Sequence, residues 1–189
     1  MTRIEKDFLG EKKLPASAYY GVQTLRGKEN FHITGLSMSR EPAFVRAFGY
    51  VKKAAALANK ELGVLEARIA DAIVAGCERV IAGEMDAQFV TDFIQGGAGT
   101  STNMNANEVI ANLALEVLGH KKGEYQFVSP NDHVNFGQST NDVYPTAFRL
   151  ALILRLEDYL RALRELQASL FAKGREFEHV LKMGRTHLQ

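Results

Sequence analysis

Three stretches of this chain crowd neutral hydrogen-bonding groups together: GGAGTSTNMN at residues 96–105, QSTND at 138–142 and GRTH at 184–187. The first two contain no lysine, arginine or histidine, and each leads into an apolar pattern of helical period. A helix start carries unpaired N–H groups and a partial positive charge, so it attracts anions. Glycines 96, 97 and 99 let the main chain come close to a ligand. Hydroxyl and carboxamide groups add directional donors around the same spot. Such an arrangement suits a small carboxylate, above all one whose negative charge grows during a reaction.

Helix capping uses the same residue types, because Ser, Thr and Asn ahead of a helix accept from its first N–H groups. Pro145, in the first turn of the pattern after residue 142, fits a cap equally well. Three clusters together hold more polar side chains than capping requires. Other chemistries lack their residues. Gly97-Ala98-Gly99 misses the third glycine of a dinucleotide loop, and no Gly-Lys-Ser/Thr follows. No His pair has metal-ligand spacing, no HExxH occurs, and a single cysteine seeds no zinc site. No Gly-x-Ser-x-Gly elbow exists. Of the five histidines, His32, His120 and His179 sit beside charged or loop residues and read as solvated. His133 reads as a brace within SPNDHVN, and His187 alone neighbours a donor cluster.

The elements that must position these clusters follow from periodicity. The first 36 residues are mixed, with β-like pieces such as Tyr19 to Leu25 between Gly and Pro breaks. A helix is expected from Pro42 to Gly63, with Phe44, Phe48, Val51, Ala55 and Ala58 on its apolar side. A second runs from Leu65 to Gly83 through Ile69, Ile73, Cys77 and Val80. The third spans Asn103 to Leu118, with Gly119 beyond its end. Turn chemistry marks Ser129-Pro130-Asn131-Asp132. A long helix then covers Asp142 to Lys173, and its stripe Phe148, Leu152, Leu156, Tyr159, Leu163, Leu166 and Leu170 demands partners. At about 1.5 Å per residue it is too long for a lone small domain and reads as one member of a helical bundle. The fold class is therefore mainly α: a mixed N-terminal domain, residues 1–138, followed by the start of a central bundle, residues 139–189. VLKMGRTHLQ closes on no element, which reads as a piece of something longer.

Composition narrows the partners. With 46% hydrophobic residues a core is available, and 23 basic residues against 22 acidic give no reason to expect nucleic acid or an anionic membrane. No apolar run approaches the roughly 18 residues of a membrane span, and the N-terminus has no leader-like apolar segment. Cys77 has no internal disulfide partner and lies in an apolar helical pattern, so it reads as a buried thiol in a reducing compartment. The expected location is cytoplasmic.

Four segments resemble the aspartase/fumarase superfamily: AYYGVQTLRGKENF (18–31), QGGAGTSTNMNANEV (95–109), SPNDHVNFGQSTNDVYPT (129–146) and KMGRTHLQ (182–189). The forms YGVQTLR and GGAGTS are similar to the aspartase branch rather than to class II fumarases. The resemblance implies a homotetramer with active sites shared by three subunits, and cofactor-free, reversible deamination of L-aspartate to fumarate through an aci-carboxylate. It implies Thr100, Ser139 and Thr140 as donors to the β-carboxylate, and Asn141, assisted by Thr100, as the ligand of the amino group. Thr186 and His187 fall at positions contacting the amine and the α-carboxylate side, whereas Ser101 and Asn103 are equally well read as caps. The family's Gly-Ser-Ser loop, with its base and the Met-Pro-x-Lys-x-Asn that follows, is absent from this sequence. The 189 residues alone are therefore expected to be inactive. Hydration of fumarate and a non-catalytic structural role are the alternatives within the superfamily.

Overall fold

The computed structural model describes residues 1–185 and 187. It begins with a hairpin in which β1 (Thr2–Asp7) pairs antiparallel with β2 (Gly10–Pro15). Opposite charges face each other across it, Glu5 with Lys12 and Lys6 with Glu11, which favours this register. Leu14 and Glu5 anchor the hairpin inward, while Phe8 and Leu9 at its tip are exposed.

The stretch expected to hold β-like pieces is instead helical from residue 22: α1 spans Val22–Asn30. No side chain of its own N-cap serves it. Buried carboxylates remote in sequence supply the missing acceptors, so tertiary structure overrides a weak local signal.

Helices α2 (Pro42–Glu61), α3 (Ala67–Ile81) and α4 (Thr100–Val117) follow the sequence expectation closely. They pack in sequence order, and at Gly76 of α3 an added Cβ would lie 3.1 Å from the Leu113 Cβ of α4. That close approach seals a core of Phe48, Ile73, Cys77, Val80, Ile110 and Leu113. Helix α4 starts three residues earlier than the pattern suggests. It is buried on every side from Thr102 to Leu115, so it is the central helix of the domain rather than a one-faced one.

Helix α5 spans Thr140–Glu176. Residues 1–152 form one compact unit and 153–189 a second, and α5 begins in the first and continues in the second. Within the first unit Val143, Ala147 and Ala151, spaced by four, are buried. In the second, the side chains marked for burial by the apolar stripe are open to solvent, from 40% exposed at Leu163 to 65% at Leu170. Among the described residues no helix is long and apolar enough to cross a membrane.

Candidate active site

Helix α4 owes its many polar residues to the loops it holds. Thr102, Asn105, Glu108 and Asn112, spaced three, three and four apart, each fasten a different segment, and all are buried. Thr102 is bonded to Thr91 and Gln95. Asn105 accepts from the Val90 N–H and donates to the Gln88 carbonyl, both at 2.9 Å. Asn112 donates to the Tyr19 carbonyl and accepts from the Gly123 N–H. Asn103 and Asn105 of the first cluster are thus internal braces; the N-cap Gly99 has no side chain, and Gln95 Oε1 instead accepts the Thr102 N–H of the first turn at 3.0 Å.

Glu108 is the acceptor that starts α1. Its carboxylate takes the N–H groups of Gly21, Gln23 and Thr24 at 2.8–3.0 Å and the Thr24 hydroxyl at 2.6 Å. Glu5 accepts from the Val22 N–H and the Tyr125 hydroxyl. Burial pushes the Glu108 carboxyl upward from its ordinary value, while the Thr24 and Gln23 donors pull the other way. Burial, with Glu108 and Glu5 beside it, raises the Tyr125 hydroxyl well above its ordinary value. Further along α1, Arg26 forms two bonds with Asp7 at 2.8 and 2.9 Å, which lowers the Asp7 carboxyl. Fixed this way, α1 lines a cleft of about 560 Å³ with Gln23 and Arg26 on one side and Thr100 and Ser101 of α4 on the other.

The second cluster is set from below. Ser129 caps the π-turn Pro130–Val134, and its N–H donates to His133 Nδ1 at 2.9 Å, so His133 braces this loop as expected. Asn135 then receives three donors on one oxygen: Lys52 Nζ at 2.8 Å, Asn103 Nδ2 at 3.1 Å and Asn107 Nδ2 at 3.2 Å. Lys52 also donates to Gln138 Oε1 at 2.9 Å. Asn103 Nδ2 lies 3.2 Å from the Thr140 hydroxyl oxygen. This bond ties the first turn of α4 to the first turn of α5.

A second cleft, of about 280 Å³, lies between those two helix starts, lined by Gln95, Gly97 and Gly99 against Asn141, Tyr144 and Pro145. Gly99 has φ +87° and ψ +26°, and a Cβ there would fall 2.1 Å from the Tyr144 ring. Only glycine fits. Ser139 Oγ accepts from the Asn141 N–H at 3.2 Å, so it does act as a cap for α5.

Of the residues singled out in sequence, Thr100 stands at the start of α4 and lines the first cleft, whereas Ser139, Thr140 and Asn141 stand at the start of α5, with Asn141 in the second; Thr100, Ser139 and Asn141 are exposed. Thr140 is half-buried. His187 is exposed in the second unit, and Thr186 lies outside the described residues. Lys52, Asn107 and Glu108 were not anticipated. The buried series on α2 is Phe44, Phe48, Lys52 and Ala56, each four apart, so a lysine in register with two core phenylalanines was the available signal.

The helical architecture agrees with what known proteins show. The profile of the lyase family matches residues 10–189, and the chain belongs to that family. An aspartate ammonia-lyase of Pseudomonas fluorescens is 57% identical over 187 residues, 99% of this chain and 39% of that protein. The crystal structure of fumarate lyase:delta crystallin from Brucella melitensis superposes with a TM-score of 0.92 at 57% identity, over all of this chain and 44% of that one. A class II fumarase from Schistosoma mansoni gives 0.88 at 38% identity, over all of this chain and 40% of that one. The chain therefore spans about two fifths of the length of the curated relatives it matches.

Proposed function

We propose that the whole protein is an aspartate ammonia-lyase, converting L-aspartate reversibly to fumarate and ammonia. The observation that supports this reading is the Asn103–Thr140 bond, which joins the helix start bearing Thr100 to the one bearing Ser139, Thr140 and Asn141. Thr140 and Ser139, with Thr100, donate to the substrate β-carboxylate, and Asn141 and Thr100 hold the amino group. Thr186 and His187 serve the amine and the α-carboxylate side. The Cβ proton is very weakly acidic, so catalysis depends on stabilising the aci-carboxylate dianion that forms as a base removes it. Hydroxyls and N–H groups fixed by the fold do this without reorganising at the moment of reaction. The base belongs to the family's Gly-Ser-Ser loop, outside this sequence, and the chemistry calls on no metal or organic cofactor.

The same reading includes a homotetramer whose sites draw on three subunits, in the cytoplasm, with residues 1–138 as an N-terminal domain and 139–189 opening a central bundle. The apolar, solvent-open side of α5 supports the assembly. The higher identity to an aspartate ammonia-lyase than to a class II fumarase favours ammonia over water as the leaving group. Supplying the whole protein with L-aspartate and, separately, L-malate tests this. Fumarate formation from aspartate is expected; formation from malate alone would overturn the proposal.

A further inference from the structure

Among the described residues Lys52 is the only lysine or arginine that is fully buried. Its ammonium meets two amide oxygens, those of Asn135 and Gln138, and no carboxylate. From α3 it faces Cys77, whose buried thiol is pushed up to about 12 and is therefore uncharged at working pH. From α4 the groups of this network are the Asn103 and Asn107 amides, whose own oxygens are buried and accept no bond. The next lysine, Lys53, is paired at the surface with Glu78. Removing a cation from water without a counter-charge is costly. Packing alone would be served better by a neutral side chain, since Asn135 Oδ1 already has two other donors. The amine serves another purpose, bonding Asn135 and Gln138 together.

What lies across the network gives that purpose. Asn103 donates to the Thr140 hydroxyl oxygen, so the Thr140 proton remains available for another acceptor. Asn103 in turn is held by Asn135, and Asn135 and Gln138 are held by Lys52. We propose that Lys52 is a positioning residue of the active site: it clamps residues 135–138 through the Asn135 and Gln138 amide oxygens, and so holds Asn103 against Thr140. This rests on the aspartate ammonia-lyase reading and extends it to a residue that never touches substrate.

Burial lowers the Lys52 ammonium from 10.5 to about 7. The folded protein thus gives up this proton more readily than the unfolded chain does. Relative to a variant lacking the amine, the parent should gain stability as the pH rises from about 7 to 10.5. The experiment compares the whole protein with its Lys52→Met and Lys52→Gln variants, measuring melting temperature across that range and kcat and KM with L-aspartate. Near neutral pH, Lys52→Met should melt at or above the parent temperature, yet lose at least about tenfold in kcat with a smaller change in KM. Lys52→Gln is one atom shorter and should lose the paired contact with Asn135 and Gln138, and kcat with it. Melting temperature and kcat falling together in Lys52→Met would mean a structural role and overturn the proposal. So would a Lys52→Met variant with parental kcat. A parent without aspartate turnover overturns the functional reading and this proposal with it, whereas a fully active Lys52→Met beside an active parent overturns this proposal alone.

Discussion

Gly99→Ala should be among the most damaging small substitutions in the molecule. Its backbone, at φ +87° and ψ +26°, lies in the left-handed region, where a side chain costs about 1–2 kcal/mol. The new Cβ would also sit 2.1 Å from the Tyr144 ring. That ring cannot simply swing aside, because it stands edge-on to Phe44 and Phe48 at centroid distances of 5.3 and 6.2 Å. Relieving such an overlap in a packed core costs about 1–3 kcal/mol more. The total, about 2–5 kcal/mol, corresponds to a melting temperature lower by roughly 4–20 °C in a chain of this length. Thermal unfolding of Gly99→Ala, Tyr144→Ala and the double variant separates the two costs. In the Tyr144→Ala background the ring is gone, so Gly99→Ala should cost only the backbone share of about 1–2 kcal/mol. An equal cost in both backgrounds, or a Gly99→Ala variant within about 0.5 kcal/mol of the parent, would refute the close packing of the two helix starts.

Four further outcomes follow from the same structure. Thr140→Ala in the whole protein should lower kcat with L-aspartate by roughly ten- to a thousandfold, whereas a residue that only braces α5 would leave kcat near the parent value. Ser139→Ala, which also removes a cap, should lose kcat and in addition about 1 kcal/mol of stability, read by denaturant unfolding. Glu108→Ala orphans three N–H groups and a hydroxyl, and at about 1–3 kcal/mol for each donor that water cannot reach, hydrogen exchange across Val22–Asn30 should accelerate before the rest of the domain unfolds. The 189-residue chain should sediment as an oligomer because of its exposed α5 side chains; a monodisperse monomer would contradict that.

The helices with regular apolar spacing, α2 to α5, were legible because burial on one face leaves a period in the sequence. Helix α1 was not, since the acceptors that begin it are Glu5 and Glu108, and no local pattern records partners 17 and 84 to 87 residues away. The hairpin buries little besides Leu14 and Glu5, too few positions to show an alternation. For the candidate site, residue type points to the clusters at 100 and 139–141, but not to the division of labour within them. Asn103 and Asn105 look like ligand donors and are braces, while Lys52 looks like a surface residue and lies at the centre of the network that holds Thr140. Side-chain pairing across elements decides such roles, and it becomes visible only once the helices are packed.

The central claim, that the paired helix starts act on charge appearing during the reaction, is tested most directly with a nitronate analogue of the aci-carboxylate dianion. Its inhibition constant would be measured in the whole protein and in Thr140→Ala, beside that of succinate, whose carboxylates carry only their ground-state charge. A site built for the developing dianion should bind the nitronate at least about a hundredfold more tightly than succinate. Thr140→Ala should then lose nitronate affinity by about the factor it loses in kcat, with succinate affinity nearly unchanged. Equal losses for both ligands would mean that Thr140 binds carboxylates without regard to the growing charge, and the account would be wrong.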